Sequence, residues 1–525
     1  MKLSWKSTIP VIGLVTAAGL ALSGCAGGAA NGGGAAEGGK TLVVDASFDL
    51  KTADPNRQYE TTGQIVAKAL YQTLLTFDGD DVTTPIDGLA SYEMNADSTV
   101  MTLTMKDDAV FSDGSPVTVD DAVFSLQRLQ GVKGNPSFLL DGVTVAKVDD
   151  KTLTLTSEAP KPELPFILPN GALAVVNQEV VEANGGTTDE KDGAEAFLNG
   201  ESAGSGPYVL ESFDAAKQVV FTANPEYKGE KPAYERVVLR NVEGPTQKLN
   251  VEKGESQLAL DLNPDQVAEL SSANVNILSS ASQYMIFLLL NQNPEVNAFT
   301  SNPDFLEAVK LGVDYDKIVD LAGEGAARPG GPIPSIFVGA LDAADGNQRD
   351  VKAAEAALKA SGYNGEEITL NFPNDITVQG LSFNSIAESV QAQLKEVGIN
   401  VTLAPAPVAT ELDAYRGGTE TIGLWYWGPD FPHPSNYLVF APGQLVGLRA
   451  GWPAEADAKS VELANAAQAA SDADRVAAFE AWQKQQNETG PFIPLLQPAQ
   501  NVVTAKSISS VSTNPVWTVD LASIK

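Results

Sequence analysis

Between Asp350 and Leu403 the apolar residues change their period repeatedly, and this constrains the fold more than any other stretch. Asp350 is a helix cap, Val351, Ala354 and Leu358 follow at helical spacing, and the pattern closes near Gly362. Ile368, Leu370 and Phe372 then alternate as a strand. Ile386, Val390, Leu394 and Val397 share one helical face that stops at Gly398, and Ile399, Val401 and Leu403 alternate again. Strand, helix and strand over this length are the signature of an α/β lobe.

The chain before this stretch is richer in strands. Leu42–Val44 reads as a short strand, and Ile65, Val66, Ala69 and Leu70 recur at helical spacing after the loop to Thr62. Met101, Leu103 and Met105 alternate with threonines, as do Leu153 and Leu155. Between them Thr118 and Asp121 form a capping-box pair that opens a helix through Leu129. The run beginning GSGPY at Gly204 pairs across residues 214–217 with residues 218–222 as a hairpin, and residues 236–242 form a further strand. YMIFLLL, residues 284–290, is a continuous apolar run of strand length, the pattern of a strand buried on both faces and far too short for a membrane span. Leu306 and Val309 begin one helix, and Ile318, Val319 and Leu321 mark another. A last helix holds Val476, Phe479 and Trp482 and ends before Gly490.

At 525 residues the chain is too long for one compact domain, and with 43% hydrophobic residues it can bury a sizeable core. Cysteine and histidine occur once each. That excludes an internal disulfide, a CxxC metal site, HExxH, a multi-histidine zinc site and any two-histidine relay. One serine, Ser202, sits in a GxSxG match, GESAG at residues 200–204, and serine–histidine chemistry there would have to use the single histidine, His433. A carboxylate-pair glycosidase stays open, because 67 Asp and Glu residues guarantee chance pairs.

Residues 1–24 read as an export signal, with Lys2 and Lys6 at the positive end and an apolar stretch from Ile9 to Leu22. The signal ends in Leu22-Ser23-Gly24-Cys25, which resembles the bacterial lipobox and marks Cys25 for lipidation. The amine-linked chain plus the diacylglyceryl pair that this implies makes a stable membrane anchor. Residues 25–40 are Gly- and Ala-rich and read as a flexible tether. Removing the signal takes the net charge from −33 to −35, a field that repels nucleic acid and anionic lipid heads.

Residues 421–438, TIGLWYWGPDFPHPSNYL, are the candidate site. An apolar run from Ile422 to Trp427 breaks at Gly428-Pro429 into a proline-stiffened loop that carries Asp430 and His433. Trp425, Tyr426 and Trp427 offer large contact area at low rotamer cost beside one carboxylate, which suits a recognition surface. A core strand followed by a surface turn is the equally open alternative. His433 reads as a structural residue, with no second His or Cys beside it for a metal.

Six segments in register resemble the family 5 extracellular solute-binding proteins of ABC importers, the group that includes dipeptide- and oligopeptide-binding proteins. They are FSDGSPVTVDDAVFSLQRL (111–129), GSGPYVLESF (204–213), ANPEYKGEKPAYERVVLR (223–240), FLEAVKLGVDYDKIV (305–319), SVQAQLKEVGINVTL (389–403) and WGPDFPHPSNYL (427–438). The resemblance spans nearly the whole mature chain. It implies an α/β, two-lobed periplasmic-binding-protein-like fold of type II, with an extra subdomain on lobe one, closing around a ligand cleft.

Lobe one would take residues 41–77, 204–283 and 498–525, the subdomain residues 78–203, and lobe two residues 284–497. The resemblance further implies a receptor without enzymatic activity or cofactor. It would be a monomer, lipid-anchored outside the cytoplasm (in the periplasmic space or on the outer face of the cytoplasmic membrane), delivering peptides to a permease and its ATPase. Asp430 would take the peptide's α-ammonium and Trp427 would wall the next pocket. Tyr426, Trp425, His433 and Tyr59, in the loop 58–62, complete the expected lining. The apolar strand offers no arginine for the ligand carboxylate, so Arg416, Arg328 or Arg449 would substitute. Relatives with the same segment take oligosaccharides or nickel chelates, so those ligands stay open, and a nickel chelate would call on His433.

Overall fold

The computed structural model describes residues 40–525. The expected export signal, Cys25 and the tether up to residue 39 lie outside the described residues. Three larger sheets organise the chain, and each carries its own core.

The first sheet has seven strands in the order Val275–Ala281, Ala499–Ala505, Leu258–Ala259, Thr41–Ala46, Arg236–Asn241, Gln218–Ala223 and Tyr208–Asp214. Thr41–Ala46 lies parallel to both neighbours, and the strands Tyr208–Asp214 and Gln218–Ala223 form the hairpin expected from their spacing. Inserted between the first two segments of this lobe is a four-stranded antiparallel sheet, Ala90–Met94, Val100–Met105, Thr152–Ser157 and Val143–Lys147. The helix Val119–Gly131 covers it, opened by the Thr118–Asp121 capping box. Met101, Leu103, Leu153 and Leu155 face that helix from the sheet and are fully buried.

The second lobe is built on five strands in the order Asn400–Ala406, Glu367–Pro373, Ile422–Trp427, Met285–Leu290 and Phe492–Leu496. Its strand–helix–strand unit is the stretch whose period changes so sharply. Glu367–Pro373 and Asn400–Ala406 are parallel, joined by the helix Phe383–Glu396 with Ile386, Val390 and Leu394 buried. Gly398 ends the crossover at φ +93°, a conformation that costs a residue with a Cβ but not glycine. Met285–Leu290 is buried at every position. Ile286, Leu288 and Leu290 enter the core under the helices, while Met285, Phe287 and Leu289 enter a second, aromatic core on the other face.

The chain passes between the lobes at two adjacent points, after Ala281 and after Leu496. These crossings are tied together: Ser282 N–H donates to Pro498 O at 3.0 Å and Gln497 Nε2 donates to Ser282 O at 2.8 Å. Two details depart from the sequence pattern. Leu321 stands just past the helix Tyr315–Asp320 and is 37% exposed, and Val476 is 45% exposed although its helix, Arg475–Thr489, forms as expected. That helix buries Phe479 and Trp482 alongside Gln483 and Gln486, so its inner face is partly polar.

Candidate functional site

The strand Ile422–Trp427 pairs along its whole length with Met285–Leu290. On its other side only Ile422 and Gly423 pair, with Leu370 and Asn371. Leu424 to Trp427 therefore keep one edge unpaired among the described strands, and that free edge runs into a cavity of about 580 Å³. Gly428 turns the chain there, because a Cβ at this position would stand 2.5 Å from the Tyr284 ring.

Asp430 follows, half-buried in the cavity wall. Its carboxylate accepts hydrogen bonds from the Tyr59 hydroxyl and from Asn436 Nδ2, the latter at 3.1 Å. Asn436 is itself oriented by Trp427, whose Nε1 donates to its Oδ1 at 3.1 Å. Asn170 Nδ2 reaches the Asp430 carbonyl at 3.5 Å, and Gln64 holds Asn170 through a 2.8 Å bond. All of these donors are neutral, and among the described residues no Lys or Arg forms an ion pair with Asp430. Burial and the adjacent Asp430 charge push the Tyr59 hydroxyl far above its ordinary range, so it acts only as a donor.

Tyr59, Tyr426, Trp427, Asp430 and Arg416 share this cavity. Arg416, exposed at the end of the helix Val408–Arg416, is the one cation among its described lining. A second cavity of about 580 Å³ adjoins it through Tyr284, Tyr426 and Thr518. Two of the four non-glycine residues with positive φ among the described residues, Gln379 at +51° and Thr518 at +60°, line both cavities. Backbone strain of this kind collects where a surface is shaped for a ligand.

Two expected lining residues are elsewhere. Trp425 points to the opposite face of its strand and is 3% exposed, stacked on Tyr415 at 4.5 Å with its Nε1 donating to Glu420 at 2.8 Å. Strand alternation alone accounts for this, since neighbours of Tyr426 must face away from it. His433 is 1% exposed, packed on Phe166 at 4.7 Å, and its Nδ1 accepts the Ser435 N–H that opens the next helical turn. Burial, aided by the Arg475 charge, holds its pKa well below the ordinary imidazole value, so it is a neutral core residue.

Arg449 lies over Tyr415 on the Trp425 side, and Arg328 is committed to Asn347 O and Asp316; neither lines the cavity. Of the loop expected to meet a ligand, Tyr59, Glu60 and Thr61 do line it, whereas Gln58 is buried beneath. Sequence reasoning passed over Asn170, Tyr284, Asn436 and residues 515–518. Asn436 and Tyr284 lay within reach, one inside the singled-out segment and the other opening the apolar run 284–290, but the rest come from distant parts of the chain with no local signal.

The family model described as "Bacterial extracellular solute-binding proteins, family 5 Middle" matches residues 84–443, more than half of the chain. The chain belongs to this family. The family 5 protein is 28% identical over 409 residues to "Probable D,D-dipeptide-binding periplasmic protein DdpA" of Escherichia coli (strain K12), covering 76% of this chain and 77% of that protein. It is 26% identical over 532 residues to "Di/tripeptide-binding protein 4" of Pseudomonas aeruginosa (strain UCBPP-PA14), covering 95% and 96%. Among solved structures it resembles the ABC transporter substrate-binding protein CtaP of Listeria monocytogenes, with TM-score 0.80 and 19% identity over 93% of this chain and 99% of that one. It also resembles the periplasmic binding protein DppA of Helicobacter pylori in complex with peptide STSA, with TM-score 0.71 and 21% identity over 92% and 97%. The fold of this family 5 protein is thus the two-lobed periplasmic-binding-protein type.

Proposed function

We propose that the protein is a lipid-anchored receptor outside the cytoplasm that delivers peptides with a free amino end to an ABC permease and its ATPase. One observation carries the reading: Asp430 stands in a cavity wall with its carboxylate held by neutral donors and its charge uncompensated. A ligand ammonium would complete it, and a desolvated charge pair of that kind fixes register strongly. The free edge from Leu424 to Trp427 would take the peptide backbone by strand addition, which grips any sequence. Arg416 would receive the carboxyl end. The names of the relatives, which bind di- and tripeptides, support the same ligand class.

The nickel-chelate alternative loses its expected ligand with His433 in the core, and sugar stacking loses one of its three aromatics with Trp425. In this reading residues 1–24 are removed, Cys25 carries the lipid, and the lobes divide as 41–77 with 204–283 and 498–525, against 284–497, with residues 78–203 as the subdomain. The receptor acts as a monomer. Calorimetric titration with matched peptides tests the ligand class: free-amine peptides are expected to bind and their N-acetylated forms not. Asp430→Asn should abolish binding while leaving the unliganded melting temperature unchanged. Equal binding of both peptide forms would remove Asp430 from this role.

A further inference from the structure

A separate cavity of about 220 Å³ lies against the helix Thr61–Leu70, between it and the C-terminal return of the chain. Three charged residues line it: Asp87 is exposed and pairs with Lys106 at 3.9 Å, whereas Lys68 and Asp520, of opposite sign, do not meet. Lys68 is half-buried in its wall, where Nζ donates to Thr76 Oγ1 at 3.1 Å and stands 4.1 Å from the centroid of the Trp517 ring. Asp520 is half-buried in the same wall, and its Oδ1 accepts the Ala522 N–H at 2.9 Å. Among the described residues neither forms an ion pair. Trp517, also in the wall, is 4% exposed, and its indole Nε1 has no hydrogen-bond partner.

Such an arrangement is costly as it stands. An orphaned buried donor carries its desolvation penalty, and half-buried charges of opposite sign gain most when a partner bridges them. Burial also pulls the Lys68 ammonium below its ordinary pKa, against the opposing pull of Asp520. A simple anion placed here would face Asp520, and a simple cation would face Lys68. Only a molecule with both signs answers both charges.

We propose that this cavity binds a small free α-amino acid, its carboxylate held by Lys68 Nζ and the Trp517 indole N–H and its ammonium by Asp520. At roughly 30 Å³ per water the space holds about seven waters, which matches a solute of six or seven heavy atoms such as alanine or serine. The site is independent of the peptide reading of the larger cleft.

The test uses the full mature protein with 15N-labelled tryptophan, the Trp517 indole signal being assigned with Trp517→Phe. L-Alanine and L-serine are expected to shift that signal saturably, with acetate and methylammonium at least about tenfold weaker. The response should persist in Asp430→Asn, which separates it from amino acids entering the larger cleft, and be lost in Lys68→Met and in Asp520→Asn. A crystal structure of the unaltered protein grown with saturating L-alanine should show the amino acid between Lys68 and Asp520, whatever the variants do. Water alone in that cavity, no saturable Trp517 shift, or equal responses to all four compounds would each overturn the proposal.

Discussion

Thr518 shows how much a single residue can reveal. It is β-branched, yet it holds φ +60° where the two large cavities meet. The left-handed region costs a residue with a Cβ about 1–2 kcal/mol. Thr518→Gly is therefore expected to stabilise the unliganded protein by about 1 kcal/mol, read from urea unfolding, and to weaken ligand binding if the strain holds the cleft wall in shape. Glu420 shows the same economy of explanation for pH. It is 2% exposed beneath Trp425, and burial, with Glu411 nearby, pushes its carboxyl from 4.5 up to about 9. The folded state thus holds a proton that the unfolded chain releases, so this contribution to stability is full below about pH 4.5 and is lost as pH rises towards 9. Melting temperatures between pH 6 and 10 should fall in the parent, and Glu420→Gln should flatten that slope.

At the scale of elements, the helix over the four-stranded sheet is fastened to the loop before the helix Thr61–Leu70 by a buried charge cluster. Arg128, fully buried in the helix Val119–Gly131, donates to Asp54 at 2.5 and 2.7 Å and to Asp192 at 2.8 Å, joining three distant segments. Arg128→Met leaves Asp54 and Asp192 with Arg57 as their one remaining cation, at 3.4 and 3.1 Å, and is expected to cost about 3 kcal/mol in urea unfolding. The Arg128 guanidinium also holds Asp192 down at about 2 against its own desolvation, so its contribution is present above the ordinary carboxylate range and is lost as pH falls through about 2. None of this was legible from sequence, where Asp54 sat in a plain loop and Arg128 in an ordinary amphipathic helix. Elements whose burial follows a period were legible: the strand Met285–Leu290, with a core on both faces, and the crossover ending at Gly398. In the site the strand and Asp430 were legible because they are one local segment. Asn170 and Thr518 were not, since they stand 260 and 88 residues from Asp430 along the chain and nothing local marks them as its neighbours. Trp425 was misplaced by counting three adjacent aromatics as one surface when a strand must split them between two faces.

For the whole molecule, the two tied crossings are the place where a pivot is expected. Gln497 is fully buried between them, its Nε2 on Ser282 O and its Oε1 accepting the Ser335 N–H at 2.9 Å. Gln497→Leu orphans both partners, at about 1–3 kcal/mol each, measurable as a lower urea midpoint. The crossings join lobes that otherwise meet across a cleft where Tyr59, ahead of the first helix, bonds Asp430 on the far side. A ligand contacting both walls shifts the balance between open and closed shapes only by its differential affinity for them. Peptide at a hundred times its dissociation constant adds about 2.7 kcal/mol to the bound form, ample to populate the closed shape if that is the form it prefers. X-ray scattering is therefore expected to show a smaller radius of gyration with peptide than without it. Asp430→Asn should keep the unliganded profile whatever peptide is added, because the contact that distinguishes the two shapes has been removed. A parent profile that stays the same at saturating peptide would mean that the solute is held without closure, and that the permease must read something other than the distance between lobes.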